Sequence, residues 1–276
     1  MCVKNGQPNE TNIQASLIIL VLGALASCME SNKNPLYAEF VSCTQGAEYS
    51  NVNLSNMIDE WRNLPISNEL KGSYLHNPLK EENAFGPSMW WEFAWSSKGS
   101  ADEAWNEWTQ NEAATSWAEK YQNVMLCDGT GRNAWDIIVP VSASHFSGQN
   151  ESGYNYSQYW TCSYKNGAGR EELEDFLPLH SSKVKASDLE GTGYQYGVYF
   201  DRRSEDASHS EVQANMVWGE WAKSAEAMEI QNQNFADNFQ EVFEAFDKIG
   251  SCLDNPDLFD TWMLYSSTNK DYRPEF

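Results

Sequence analysis

The sequence predicts an α+β fold in which one β-α-β-β-α-β unit occurs twice. The four cysteines after residue 40 form two pairs with nearly equal spacing, because Cys43 precedes Cys162 by about as many residues as Cys127 precedes Cys252. Motifs also recur in the same order in the two halves, which indicates an internal duplication. They are FVSC at 40–43 and YWTC at 159–162, WNEW at 105–108 and WGEW at 218–221, and WD at 135–136 and FD at 259–260.

The first half provides every element of this unit. Apolar and aromatic runs of strand length alternate with longer stretches of helical periodicity. The stretch 54–64, for example, has an apolar face formed by Leu54, Met57, Ile58 and Trp61. The pattern predicts strands at 36–43, 74–79, 88–97 and 135–141, and helices at 54–64 and 101–126.

The second half shows the same order of elements, but the pattern reveals only three of its four strands. Its long helical stretch carries phenylalanines at helical spacing, including Phe235, Phe239 and Phe243. We predict strands at 157–164, 195–202 and 261–266, and helices at 171–177 and 211–246. Each half then has the split β-α-β, or ferredoxin-like, arrangement. The repeats are placed at 36–142 and 156–267, with a Ser/Gly/Asn-rich linker at 143–155 and a tail at 268–276.

An export signal is expected at the amino terminus. Residues 15–26 (ASLIILVLGALA) are uncharged and largely apolar, too short to span a bilayer but suited to a signal peptide. The following Leu25-Ala26-Ser27-Cys28 resembles the lipobox of bacterial lipoproteins. This resemblance implies a signal peptide at 1–27, a lipid on the Cys28 thiol, and a tether at 28–35. Met29 favours the outer over the inner membrane, on the periplasmic side; the alternative is a buried apolar element that ends in a cysteine.

With Cys2 and Cys28 in or next to the signal peptide, the four other cysteines are expected to form disulfides, because an exported chain meets an oxidising environment. In the split β-α-β fold the first and fourth strands are neighbours, so the end of the first strand lies beside the end of the second helix. We therefore predict the bridges Cys43–Cys127 and Cys162–Cys252, one in each half.

The net charge of the chain limits which molecules it can bind. Acidic residues outnumber basic residues by 40 to 18, which gives a net charge of −22. Binding of nucleic-acid phosphates needs clustered Lys or Arg, so no nucleic-acid partner is expected. The expected partners are the membrane, through Cys28, and a small aromatic or apolar ligand.

Three short motifs resemble the dimeric α+β barrel superfamily, the group of antibiotic-biosynthesis-monooxygenase-like domains. They are WEFAWSS at 91–97, ADEAW at 101–105 and NEA at 111–113. The resemblance implies that two sheets pair face to face, which a fused duplication would do within one chain as a monomeric pseudo-dimeric barrel. The superfamily includes oxygenases, isomerases, haem-binding enzymes and proteins without known activity, so the resemblance implies fold more than function.

Aromatic residues are the candidate ligand-binding groups. They form 13% of the chain, and tryptophan is absent before residue 61. Paired rings could line a cleft for a flat ligand; the alternative is a core stripe that packs a helix on its sheet. His76 and His180 join the candidates because each is expected after the first helix of its half. The full set is Trp91, Trp95, Trp105, Trp108, Tyr199, Trp218, Trp221, His76 and His180.

No catalytic or metal-binding motif accompanies these rings. The sequence has no HExxH spacing, no G-x-S-x-G elbow and no phosphate-binding loop. No metal and no cofactor are predicted, with haem as an alternative. The missing motifs favour a non-catalytic lipoprotein that binds a small ligand. The alternatives are a cofactor-free or haem-dependent monooxygenase- or isomerase-like enzyme, and an interaction or assembly protein of the cell envelope.

Overall fold

The computed structural model describes residues 35–80, 86, 88–142, 144–202 and 214–276. It has the predicted α+β class, with an antiparallel sheet and six helices among these residues. The predicted signal peptide and Cys28 lie outside the described residues. Within the described part of the chain, no helix combines the length and the apolar character needed to cross a membrane.

The order of elements is the same in both halves. The first half contains β1 (Leu36–Gln45), α1 (Asn51–Arg62), β2 (Leu70–Pro78), β3 (Met89–Trp95), α2 (Lys98–Thr109), α3 (Glu112–Tyr121), β4 (Met125–Cys127) and β5 (Asn133–Val141). The second half contains β6 (Tyr154–Tyr164), α4 (Arg170–Lys185), β7 (Gln195–Asp201), β8 (Met216–Ala222), α5 (Ala225–Asn238), α6 (Gln240–Phe246), β9 (Gly250–Cys252) and β10 (Asp257–Ser266).

Eight long strands form one closed antiparallel ring. The first half contributes the order β2-β3-β1-β5 and the second half the matching order β7-β8-β6-β10. Strand β5 pairs with β7, and β10 pairs with both β6 and β2, which closes the ring. The halves therefore join edge to edge in a continuous sheet instead of facing each other as two separate sheets. Each of these eight strands therefore has a hydrogen-bonded neighbour on both sides.

Alternation along the strands separates a barrel interior from a helix-facing layer. On β3, Trp90, Glu92 and Ala94 alternate with Trp91, Phe93 and Trp95, and the odd-numbered group packs in the core under the helices. The inside of the ring holds a separate aromatic core with Trp135, Tyr159 and Tyr199 among its members. The molecule thus has three packed regions: the barrel interior and one helix-covered layer for each half.

Equivalent serines begin the helix after the third strand of each half. The Ser97 hydroxyl accepts the Ser100 amide hydrogen at the start of α2, and the Ser224 hydroxyl accepts that of Ala227 at the start of α5. Such caps satisfy backbone donors that a helix leaves without intrahelical partners. They fix where each helix leaves the sheet.

Both predicted disulfides are present, Cys43–Cys127 and Cys162–Cys252. The expected position of the second cysteine in each half is wrong, however. Cys127 lies in β4, directly opposite Cys43 of β1, and Cys252 lies in β9, opposite Cys162 of β6. Each bridge therefore joins neighbouring strands, because the chain forms a short extra strand between the last helix and the fourth long strand.

The long predicted helices are interrupted. The stretch 101–126 forms α2 and α3, because the Asn111 side chain accepts the amide hydrogens of Ala113 and Ala114 and starts a new helix. The stretch 211–246 contains α5, α6 and the strand β8, which the sequence did not reveal. All seven residues of β8 are buried, so neither face shows the exposed polar positions whose alternation identifies a half-buried strand.

Two proposed equivalences between the halves are therefore wrong. The motif WNEW at 105–108 lies in helix α2, whereas WGEW at 218–221 lies in strand β8. His76 lies in strand β2, whereas His180 lies inside helix α4. The equivalences at the cysteines and at 135–136 with 259–260 agree with the strand register.

Candidate functional site

A cavity of 240 Å³ lies between the sheet of the first half and its three helices. The sheet provides the floor through β1, β2 and β3, and the helices α1, α2 and α3 provide the roof. An engineered apolar cavity of about 150 Å³ is large enough to bind benzene. The aromatic side chains in its lining are Trp61, Trp91, Phe93, Trp95, Trp105, Trp108, Trp117 and Tyr121.

The floor is a ladder of three rings on alternate positions of β3. The rings of Trp91 and Phe93 are nearly parallel with centroids 5.2 Å apart, and those of Phe93 and Trp95 follow at 6.2 Å. This order arises because alternate residues of a strand point to the same face. The Trp61 ring of α1 meets Trp91 edge-on at 5.1 Å. A flat molecule above this floor would meet aromatic faces and edges.

Trp105 is held in the cavity wall by the ion pair of the buried Glu39 with the half-buried Arg132. Its Nε1 donates to Glu39 Oε2 at 2.5 Å, and Arg132 Nε lies 3.0 Å from Glu39 Oε1. The Arg132 guanidinium also lies over the Trp105 ring, 4.9 Å from its centroid. Glu39 is a helix-facing residue of β1 and only 2% exposed, so the carboxylate is paired on both oxygens. The ring is fixed before any ligand arrives.

The remaining wall is formed by α2 and α3. The rings of Trp108 and Trp117 meet edge-on at 5.8 Å, and Trp117 Nε1 donates to the Met57 carbonyl oxygen at 2.9 Å. On the floor, Trp91 Nε1 donates to Ser73 Oγ at 2.6 Å. Three of the indole N–H groups around the cavity, including that of Trp105, therefore already have protein acceptors.

Few polar groups interrupt this aromatic lining. Glu107 is its single carboxylate, and no Lys or Arg is among the lining residues. Burial raises the pKa of the Tyr121 hydroxyl, so this group is protonated at neutral pH. Ser67 and Asn111 complete the polar set.

The structure divides the nine predicted ligand residues among three places. Trp91, Trp95, Trp105 and Trp108 line the cavity together. Sequence reasoning did not include Trp61, Phe93 and Trp117 in the set, although their helical or alternating spacing placed them on the same faces. Tyr199, Trp221 and His76 lie in the barrel interior, and Trp218 and His180 lie in the helix-covered core of the second half.

The barrel interior holds a hydrogen-bonded network that crosses between the halves. His76 Nε2 lies 3.0 Å from Glu92 Oε2, and the Tyr199 hydroxyl donates to Glu92 Oε1 at 2.9 Å. His76 Nδ1 lies 2.9 Å from Thr261 Oγ1 and 3.3 Å from the Tyr159 hydroxyl. Burial raises the pKa of both tyrosines well above the usual value. Only a 30 Å³ space adjoins this network, so we assign it to the joining of the halves.

Glu92→Ala is expected to lower the free energy of unfolding by about 3–4 kcal/mol, because His76 and Tyr199 lose a buried partner. Urea unfolding measures this change. Glu103→Ala, at an exposed position of α2, is the matched control and should change stability by less than about 0.5 kcal/mol. Equal effects of the two substitutions would contradict the assigned role of the network.

The corresponding layer of the second half is packed with side chains. The His180 ring lies 4.7 Å from Tyr196 and 4.8 Å from Trp218, and the rings of Phe235 and Phe239 lie within 6 Å. Glu220 is buried here, accepting from Tyr194, Gln158 and Trp160, and burial raises the pKa of its carboxyl group. The two halves therefore share an order of elements but differ in the space under their helices.

The residues present do not fit haem. The tryptophan-lined cavity has no histidine in its wall, and 240 Å³ lies below the usual range of about 300–1,000 Å³ for cofactor pockets. His180 Nδ1 is buried without a hydrogen-bond partner in the described structure, but packed rings surround it. No group of three or more metal-ligating side chains occurs among the described residues.

No protein-family model and no curated protein matches the sequence. Solved structures are similar to it over most of the chain. A putative monooxygenase from Fusobacterium nucleatum is 13% identical with a TM-score of 0.48, over 83% of this chain and 93% of that one. An anthrone oxidase-like protein is 11% identical with a TM-score of 0.47, over 86% and 96%. A mutant chlorite dismutase from Candidatus Nitrospira defluvii is 11% identical with a TM-score of 0.46, over 83% and 92%.

These matches correct one expectation from the sequence. The absence of catalytic motifs favoured a non-catalytic protein, whereas the solved structures that are similar to the chain are named as monooxygenase, oxidase-like protein and chlorite dismutase. At these identities and TM-scores the similarity assigns no reaction to this chain.

Proposed function

We propose that the chain is an enzyme that oxidises a small aromatic molecule with dioxygen in the tryptophan-lined cavity, without haem. The observation that carries the proposal is the cavity itself, 240 Å³ in volume and lined by eight aromatic side chains. The reaction type comes from the resemblance of residues 91–113 to antibiotic-biosynthesis-monooxygenase-like domains. The substrate class comes from the size of the cavity, which suits one or two fused rings.

A phenol is the substrate type that needs no additional reductant. In the conversion of 1-naphthol to 1,4-naphthoquinone, one oxygen atom of O₂ enters the ring and the other leaves as water. Removal of the phenolic proton makes the ring electron-rich, and Glu107 is the cavity carboxylate that can accept this proton. The ring ladder on β3 holds the substrate flat, and the ion pair of Glu39 with Arg132 holds Trp105 against it.

The test measures binding and turnover separately. We expect 1-naphthol to quench the tryptophan fluorescence with saturation, and oxygen uptake to match naphthoquinone formed. Glu107→Gln should lower kcat about a hundredfold and leave binding largely intact, because a general base contributes roughly 10²–10⁴-fold. Glu103→Gln, one turn earlier in α2 and outside the cavity lining, is the matched control and should keep full activity.

Saturable binding of naphthols and related phenols without oxygen uptake above that of buffer would refute the proposed reaction. Activity that survives Glu107→Gln would remove Glu107 as the base while leaving the cavity as the site.

We further propose that the two halves are a tandem duplication of a ferredoxin-like unit, which forms a monomeric pseudo-dimeric barrel. The identical strand order in the halves supports this. The two disulfides support export into an oxidising compartment. Anchoring through Cys28 at the periplasmic side of the outer membrane is part of the same proposal and rests on the lipobox-like sequence.

A further inference from the structure

Two chain segments border the tryptophan-lined cavity at opposite ends of its floor strand β3. Residues 126–129 lie near Met89, where β3 begins, and residues 65–67 lie near Trp95, where it ends. Both segments line the cavity and both contain exposed residues. A ligand that enters or leaves along the floor passes one of these two rims.

The rim at 126–129 is covalently fixed. Its Cys127 is bridged to Cys43 of β1. The Arg132 guanidinium also donates to the Gly129 carbonyl oxygen at 2.8 Å. Because a disulfide holds this rim on the sheet, we do not expect it to open while the bridge is intact.

The other rim belongs to the segment that joins α1 to β2, and hydrogen bonds alone tie its ends. At the far end the Ser96 amide donates to the Glu69 carbonyl oxygen at 3.0 Å. At the near end Arg62, the last residue of α1, donates from Nη1 to the Leu264 carbonyl oxygen at 2.6 Å and from Nη2 to that of Lys270 at 2.9 Å. Both acceptors of Arg62 belong to the second half, in β10 and in the tail that follows it.

The tail, residues 268–276, is itself fixed at this position. The Tyr272 hydroxyl donates to the Ser152 carbonyl oxygen at 2.6 Å. Arg273 Nε lies 3.4 Å from Asp59 Oδ1 of α1, but both side chains of this pair are half exposed, and water screens such a pair. The Arg62 guanidinium is therefore the main polar tie between α1 and the tail.

We propose that residues 63–68 are the gate of the cavity and that the tail is the strap that holds this gate closed through Arg62. When the guanidinium leaves the two carbonyl oxygens, the chain between α1 and β2 moves away from the cavity, while α1 stays packed through its buried residues. The inference rests on the proposed function for the cavity as the ligand site, and it adds the element that controls entry. Opening of a gate precedes both entry and exit, so it sets the rates of binding more than its strength.

The first test measures amide hydrogen exchange in the unliganded protein. Within the gate region the amides of Leu64 and Leu70 donate to the carbonyl oxygens of Trp61 and Ser67, so their exchange reports local opening. The amides of strand β8, buried in the second half, report global unfolding.

We expect Arg62→Gln to accelerate exchange at 63–70 about tenfold, because opening no longer breaks two hydrogen bonds from a charged donor. Arg62→Lys keeps the charge and the stem but lacks the forked donor, and an increase of about threefold is expected. Lys183→Gln is the matched control, since it removes an exposed ion pair with Glu241 in the second half, and exchange at 63–70 should stay within about twofold.

Two results would overturn the gate. One is unchanged exchange at 63–70 in both Arg62 variants. The other is equal acceleration at 63–70 and in β8, which would mean that Arg62 supports the stability of the whole protein and controls no local opening.

The second test measures the rates of 1-naphthol binding by stopped-flow tryptophan quenching. In Arg62→Gln the association and dissociation rate constants should both rise about tenfold, so that Kd stays within about threefold of the wild type. A faster dissociation alone, with Kd weakened by the same factor, would show that Arg62 only supports contacts of the bound ligand and would refute its role in the gate. If 1-naphthol does not bind at all, the proposed function fails, while amide exchange in the unliganded protein still decides whether the gate exists.

Discussion

Replacement of Cys43 and Cys127 by alanine is expected to lower the free energy of unfolding by about 4–5 kcal/mol. The bridge joins residues 84 positions apart, and its removal returns the loop-closure entropy of that segment to the unfolded chain. The pair Cys162→Ala/Cys252→Ala is the matched control, because its bridge closes a loop of similar length, with a separation of 90. Urea unfolding under oxidising conditions should therefore give nearly equal losses for the two variants.

The two variants should differ in ligand binding. Cys127 is part of the wall of the tryptophan-lined cavity, whereas Cys252 belongs to the packed second half. Only loss of the first bridge is expected to weaken 1-naphthol binding. A non-reducing peptide map that links Cys43 to a cysteine of the second half, or a loss below about 1 kcal/mol for both variants, would contradict this assignment.

The disulfides were predictable because the order of the strands in the fold, more than any local sequence pattern, brings the cysteines together. The motifs around Cys43 and Cys162 indicated the repeat, and the split β-α-β topology placed the second cysteine of each half near the end of the first strand. Cys127 was nevertheless expected at a helix end. The strand β4 has only three residues, too few for alternation to identify it.

The candidate site was only partly predictable, for a physical reason. Four of the nine predicted residues line one cavity, since Trp91 and Trp95 share a strand face and Trp105 and Trp108 share a helix. The others were misplaced because β8 is buried on both faces, so that WGEW at 218–221 has no alternation and resembles the helical WNEW. Whether a cavity remains between the helices and the sheet of a half depends on how many aromatic side chains fill that space. The first half keeps a cavity, whereas His180 and the rings around it fill the second.

The buried network of the barrel could not be read from the sequence at all. Glu92 and His76 come from neighbouring strands of the first half, but Tyr199 and Thr261 come from the second. Their contact depends on the pairing of β2 with β10 and on closure of the ring. No local pattern carries that information, because the residues are separated by more than 100 positions in the chain.

Acidification is expected to destabilise the protein through His180. Burial among aromatic rings lowers the pKa of this histidine to about 3, from an ordinary value near 6.5. Between these two pH values the unfolded chain binds a proton that the folded protein does not, so the stability that is present above pH 6.5 is lost as the pH falls. The complete loss amounts to about 5 kcal/mol near pH 3, and about 2 kcal/mol of it is expected already at pH 5.

His180→Phe removes this proton uptake while keeping a ring among Tyr196, Trp218, Phe235 and Phe239. Relative to the wild type, the variant should gain about 2 kcal/mol between pH 7.5 and pH 5 in urea unfolding. Glu220 contributes to the pH dependence of stability in the opposite direction, since the stability linked to its raised pKa is lost as the pH rises. This contribution is the same in the wild type and the variant, so it cancels in the difference between them. His145→Phe is the control, because it removes an imidazole at a half-exposed position outside this core. The pH dependence of its unfolding free energy is measured in the same way. If wild type and His180→Phe lose stability in parallel down to pH 5, the histidine is accessible to protons in the folded state, and the second half is less tightly closed than its packing implies.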